Sequence, residues 1–243
     1  MGCYSSSSSN KSDNTKSLQA ALAAGVSIGQ TSSLAMQAMS TSTTCASVTT
    51  SCPSFPCNDG AVTIDYGSGC PLPLGGTASG QVMVSGSWSN ENSATLSETF
   101  VGVMAGNKSD VVAKTKNLTV SKSGQTITIT YNFQDVTVAS GVENVGQSSW
   151  TVTTDLGTTE GDPSDDKYTI TGANQAVGVG VSQISVSNVV VDPTCQKNPI
   201  GGTATIQNVS TFNVQEDVLT FHTACDGKAD SSFGGSVTLD FLH

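Results

Sequence analysis

Ile127-Thr128-Ile129-Thr130-Tyr131-Asn132-Phe133 alternates apolar side chains with hydroxyl or amide ones at a strict period of two. Successive side chains of a strand point to opposite faces, so this stretch has one apolar face and one wet face. A helix would scatter the same residues around its whole circumference. The wet face also selects the sheet type, because parallel sheets are normally covered on both sides whereas antiparallel sheets leave one side to water.

The same alternation recurs outward from this strand. Val82, Val84 and Trp88 share one face; Ala94 and Leu96, Leu118 and Val120, and Trp150 and Val152 repeat the pattern. Tyr168 and Ile170, Ile184 and Val186, Ala204 and Ile206, Leu219 and Phe221, and Val237 and Leu239 follow, with Gly, Asn and Ser between the runs. Some ten short strands punctuated in this way predict a mainly β fold. The expected architecture is an antiparallel β-sandwich, immunoglobulin-like or jelly-roll-like, over residues 80–243. Ahead of it, residues 17–40 read as a short N-terminal helix: Leu18, Leu22 and Val26 recur at helical intervals, although Gly25 and Gly29 weaken the middle. That segment is expected to pack on the domain, the alternative being a second subunit. Residues 41–79 read as a disulfide-rich cap.

Composition agrees. Ser (36) and Thr (31) supply 67 of 243 residues while charged residues are 12 %. The chain is polar but uncharged, which suits strand faces and turns better than charged helices. It has nine Lys, nineteen Asp plus Glu and no Arg, for a net charge of −10. Without a guanidinium for bidentate contacts, and with a field that repels polyanions, nucleic acid is excluded as a natural partner. No run of 18 apolar residues is present that would span a bilayer as a helix.

Of the seven cysteines, Cys3 stands apart from Cys45, Cys52, Cys57, Cys70, Cys195 and Cys225. Six pair as three disulfides, which implies an oxidising, extracytoplasmic compartment. The gaps of the first four are unlike zinc-knuckle spacing, and their three connectivities stay open. Cys195 precedes the strand around Thr203 and Cys225 follows the strand around Leu219. If those two strands form a hairpin, the two cysteines meet at its open end.

The amino terminus, Met1-Gly2-Cys3-Tyr4 followed by Ser5 to Ser9, puts a small residue before Cys3 and a Ser-rich run after it. This resembles the mature start of uncharacterised bacterial surface lipoproteins, signal peptide removed. The resemblance implies a lipid on Cys3, a tether over residues 1–16, and an outer-membrane or cell-surface location. An N-myristoylation pattern on Gly2 is the competing reading, at odds with six other cysteines.

Chemistry-bearing candidates are few. Asp155, Glu160, Asp162, Asp165 and Asp166 gather in one loop, and such an oxygen-rich set suits calcium, the one cofactor the sequence suggests. Its spacing does not fit an EF-hand, and a solvated acidic turn is the plainer reading. His222, Cys225 and Asp226 lie within five residues, but a disulfide-bonded Cys225 cannot act as a nucleophile. Glu216 with Asp217 could serve a glycosidase only if the fold set them across a bond. Trp88, Trp150, Tyr131 and Tyr168 would suit a sugar platform if exposed. The expected function is adhesion, structural assembly or binding without catalysis, with a membrane, a second copy, another surface protein or a glycan as partner. A carbohydrate-binding or calcium-dependent module is the alternative, and a carboxylate-dependent hydrolase the second alternative.

Overall fold

The computed structural model describes Leu18, Leu22, Gly25, Val26, Gly29 and Ser32, and then residues 45–52, 54–71, 77–101, 111–138, 148–159, 165–174, 182–195, 198–209 and 214–239. The strands are β1 (Ser47–Thr50), β2 (Cys57–Asp65), β3 (Cys70–Pro71), β4 (Thr77–Ala78), β5 (Gln81–Asn90), β6 (Ser93–Val101), β7 (Val111–Ser123) and β8 (Thr126–Val138). They continue with β9 (Ser148–Asp155), β10 (Lys167–Asn174), β11 (Ser182–Val191), β12 (Thr203–Val209), β13 (Val214–Phe221), β14 (Lys228–Ser231) and β15 (Ser236–Thr238).

Apart from the small β3–β4 pair, all strands join one antiparallel sheet of thirteen, ordered β1-β2-β5 and then consecutively to β15. The chain is therefore mainly β and antiparallel, as the alternation predicts. Two stacked sheets with immunoglobulin-like or jelly-roll connections do not describe it. Greek-key folds bring together strands distant in sequence, whereas here each strand of the sheet lies beside its predecessor in the chain. Short turns between the runs enforce this. Gly124-Gln125 joins β7 to β8 as a two-residue loop between Ser123 and Thr126, with Gly124 at φ 59°. Glycine at the first central position is what a type II′ hairpin needs. β1 and β2, in the segment expected to form a cap, are the first strands of the main sheet.

The inner face carries one continuous apolar cluster. Val62 and Ile64 of β2, Leu118 and Val120 of β7, Ile127 and Ile129 of β8, Val189 and Val191 of β11, and Ala229 of β14 all belong to it. So do Leu18, Leu22 and Val26. Six residues of segment 17–40 are described, Leu18, Leu22, Gly25, Val26, Gly29 and Ser32; all have helical backbone and are buried, and apart from the adjacent Gly25 and Val26 they are spaced three or four residues apart. That spacing is one stripe of a helix.

Width decides the curvature. At about 4.8 Å per strand the sheet is roughly 60 Å across, whereas a helix with its side chains spans about 10–12 Å and covers two or three strands. Burial of one face from β2 to β14 therefore requires the sheet to curl over its own inner face, with the helical residues inside the curl. The edges are β1 and β15, of four and three residues. Such short edges offer little template for a foreign strand.

The helical residues meet the middle of the sheet through two glycines. A Cβ on Gly29 would lie 2.9 Å from Val152 Cγ1 and 3.0 Å from Tyr168 Cδ1; one on Gly25 would lie 3.2 Å from Ile170 Cδ1. In an open helix Gly→Ala stabilises by about 1 kcal/mol. At position 29 the sign should reverse, since forcing a methyl into a filled core costs about 1–3 kcal/mol. Gly29→Ala is expected to lower the urea midpoint, and Gly25→Ala to lower it less. A midpoint unchanged by Gly29→Ala would show that the helical residues do not pack on β9 and β10.

Candidate functional site

Six cysteines form three disulfides: Cys45–Cys70, Cys52–Cys57 and Cys195–Cys225. Together they indicate an extracytoplasmic protein. Cys52–Cys57 closes the turn between β1 and β2 and rests on Gly60, where a side chain would collide with both sulfurs and with the Trp88 ring. The third bond follows from register: Thr203 pairs with Thr220 and Val209 with Val214, so β12 and β13 form a hairpin whose open end brings Cys195 to Cys225.

The Cys195 side of that junction is tightly held. Asn198, 5 % exposed, accepts a hydrogen bond from the Asp192 amide at 2.9 Å. Its amide nitrogen donates to the carbonyls of Asp192 at 2.9 Å and Cys195 at 2.8 Å. On the Cys225 side, His222 follows β13, with Asp226 in the turn and Asp230 on β14. His222 Nδ1 lies 2.9 Å from Asp226 Oδ2, and Nε2 lies 3.3 Å from Asp230 Oδ1. With a carboxylate at each ring nitrogen, the imidazolium is favoured: Asp226 first, then Asp230, raises the His222 pKa above its usual value. Asp226 is correspondingly lowered, chiefly by His222. The adjacency of His222, Cys225 and Asp226 thus gives an ion-pair clamp beside a disulfide, and the sulfur that a nucleophile would need is bonded to Cys195.

Two carboxylates of the acidic loop, Asp165 and Asp166, bind its own backbone. Asp165 Oδ2 accepts from the amides of Thr158 at 2.9 Å and Thr159 at 3.1 Å and from the Thr158 hydroxyl at 3.1 Å. Asp166, buried, accepts from the Gly157 amide at 3.0 Å, and Asp155 accepts from the Thr126 hydroxyl at 3.0 Å. Glu160 and Asp162 lie outside the described residues. Among the described residues no group of three or more His, Cys, Asp or Glu is arranged to hold a metal ion.

Glu216 and Asp217 are adjacent strand residues and point to opposite faces of the sheet. Glu216 accepts from the Gln207 side chain at 2.7 Å, and Asp217 from the Ser231 hydroxyl at 2.7 Å. Nor is there a platform of Trp88, Trp150, Tyr131 and Tyr168: each is at most 2 % exposed, on the inner face. Period two had assigned these aromatics to the core face, and the structure keeps them there. Cys3 and His243 lie outside the described residues.

The outer face holds an arrangement that no single stretch of sequence reveals. Thr95, Thr119, Thr130, Thr151 and Thr171 stand in one row across β6 to β10, each paired with the next. The neighbouring row on the same five strands is Ser93, Ser121, Thr128, Thr153 and Thr169. All ten positions bear a hydroxyl, and Thr130 Oγ1 lies 3.4 Å from Thr151 Oγ1. The signal in the sequence was T-x-T or its serine variants on successive strands, legible only once register was known.

No protein-family model, no curated protein and no solved structure matches this chain. Among the described residues no helix is long and apolar enough to cross a membrane.

Two outcomes test this region. Cys195→Ser should leave a single new thiol, on Cys225, and cost about 3 to 4 kcal/mol for a loop of this length; thiol labelling that instead found Cys70 reactive would contradict the pairing. For His222, a raised folded-state pKa means that the clamp stabilises fully below the unfolded value near 6.5 and fades as pH rises through the folded value. The stability difference between the natural chain and His222→Gln should therefore be largest in mild acid and vanish in alkali, as followed by urea unfolding across pH. A difference that grew with pH would refute the clamp.

Proposed function

We propose that this chain is an exported bacterial surface protein, anchored at the outer membrane or cell surface by a lipid on Cys3. It works by presenting its outer sheet face for adhesion, binding or assembly, without catalysis. The observation that carries this reading is the double row of hydroxyl side chains on β6 to β10. That face is uniform and uncharged: none of the ten positions carries Lys, Glu or Gln.

Three disulfides supply the durability that an exposed protein needs. The Ser-rich tether of residues 1–16 would hold the sheet clear of the membrane, while Leu18, Leu22 and Val26 pack into the core. Of the groups that suggest chemistry in the sequence, His222 is engaged by two carboxylates and Cys225 by Cys195.

Mass spectrometry of the amino terminus, on protein extracted from the membrane fraction of a lipoprotein-processing bacterial host, tests the anchor. The expected result is a mature chain that begins at Cys3 and carries the mass of acyl groups. An unmodified Cys3 thiol in protein recovered from the cytosol would overturn the proposal.

A further inference from the structure

Resting on the reading that Cys3 lies at a membrane, we propose that the β14–β15 turn makes a second contact with that membrane. Phe233 enters the boundary between headgroups and acyl chains, and the strands themselves stay clear of the lipid. Strand pairing fixes which end of the sheet each feature occupies: β10 runs from Lys167 to Asn174, and the antiparallel order sets the direction of every other strand against it.

Three apolar side chains depart from the burial of the rest. Phe233 is 60 % exposed, Val214 57 % and Met83 52 %, the large hydrophobic residues left to solvent among the described ones. All three lie toward the Asn174 end. Val214 pairs with Val209 where the β12–β13 hairpin turns, and Met83 is two residues from Gln81, which begins β5 at that end. β14 runs toward the same end: Ser231 pairs with Leu219, and the Ser232 amide donates to the Val218 carbonyl at 2.9 Å. The turn that follows therefore projects beyond β14 in this direction. Gly234 and Gly235 have φ 87° and 84°, and a Cβ on either would meet nothing within 4 Å. Phe233 thus stands at the tip of an open turn. A protein partner would need a pocket matched to so convex a tip, whereas a bilayer yields to it, and aromatic rings settle at the lipid–water boundary.

The chain arrives from Cys3 at the same end. Gly25 meets Ile170 and Tyr131, and Gly29 meets Val152 and Tyr168. Along β10 this is a step from Ile170 back to Tyr168, so the helical residues run opposite to β10 and Leu18 stands toward Asn174. Fourteen residues separate Cys3 from Leu18, a reach of at most about 50 Å. The attachment point and Phe233 are thereby on one side of the molecule.

Charge favours the same orientation. Most described charged side chains gather at the opposite end: Asp155, Asp165, Asp166 and Lys167 beside the β9–β10 loop, Asp192 after β11, and the His222 clamp. Those described at the Asn174 end are Asp65, Glu216 and Asp217, and each accepts a hydrogen bond, from Gln81, Gln207 and Ser231 respectively. A charge brought to lipid loses hydration, so the end with fewer charges approaches more readily. One ring does not hold a chain of net charge −10 on a bilayer by itself. With an anchor in place the contact becomes intramolecular, at an effective concentration on the order of millimolar.

The test attaches the full chain through the Cys3 thiol to a maleimide lipid in phosphatidylcholine vesicles with brominated acyl chains, which quench indole fluorescence on contact. Cys3 is the cysteine left outside the three disulfides, which stay intact. Trp88 and Trp150, both buried, set the baseline. In Phe233→Trp the added emission should shift to the blue and be mostly quenched. In Gln125→Trp, on the β7–β8 hairpin turn at the opposite end, it should be neither shifted nor quenched. Both variants should keep the circular dichroism spectrum and melting temperature of the natural chain. Unquenched emission from folded Phe233→Trp, the result for a tip that serves a protein partner, would overturn the inference, and so would equal quenching at the two ends. Chemical attachment makes the outcome independent of acylation in the cell, so a failure here and an unmodified Cys3 are separate results.

Discussion

A single sheet with one apolar face must hide that face, and this requirement governs the rest of the molecule. Thirteen strands in chain order expose far more inner surface than one helical stripe can cover. Curling resolves it: the sheet supplies most of its own cover, and the stripe from Leu18 to Ser32 fills the middle, where Gly25 and Gly29 let it approach Tyr131, Val152, Tyr168 and Ile170. The largest side chains of the protein, Trp88, Trp150, Tyr131 and Tyr168, are all drawn into this interior. Each such ring buries a large apolar area, adding to the aliphatic core around it.

An open curled sheet has two free margins, and covalent bonds lie near both. Cys45–Cys70 and Cys52–Cys57 bind the region of β1, β2 and β3, while Cys195–Cys225 closes the open end of the β12–β13 hairpin. Around the last bond, Asn198 and the His222 clamp fix the two segments that carry the cysteines. Exposed ion pairs contribute little by themselves. Their place here is to orient a turn whose main restraint is the disulfide.

Between these staples, the outer face of β6 to β10 carries the two hydroxyl rows. Most ladder hydrogen bonds are made by backbone, although the Thr171 hydroxyl accepts the Asn188 amide at 3.0 Å where β10 and β11 shift register; none of the ten row positions is charged. Asp165 and Asp166 hold the Gly157 to Thr159 turn, Asp226 holds His222, and Lys167 pairs with Asp192 at 3.2 Å. A charged group set in the middle of the rows would break their uniformity. Carboxylates thus organise these turns, while hydroxyls cover the outer face of β6 to β10.

How much of this was legible before the fold was known follows from the range of each signal. Period two is local: Ile127 to Phe133 announced a half-buried antiparallel strand, and Leu18, Leu22 and Val26 announced a helical stripe, each from a few residues. The pairing of Cys195 with Cys225 could be anticipated because a hairpin is nearly local too. The pairings among Cys45, Cys52, Cys57 and Cys70 could not, since alternative closures of similar loops differ little in entropy. Alternation gives every strand a face but no neighbour, so a sandwich and a single curled meander look alike in sequence; only the backbone pairing decides between them. The same holds for the acidic loop, whose composition suits a cation but does not say that Asp165 and Asp166 accept hydrogen bonds from the amides of residues 157–159. The sequence by itself determined strand identity, the core face, the compartment and the absence of guanidinium chemistry, because those depend on composition and spacing along the chain. Tertiary structure alone decided that Thr95, Thr119, Thr130, Thr151 and Thr171 stand side by side, because register across a sheet is set by long-range hydrogen bonds that no local pattern encodes.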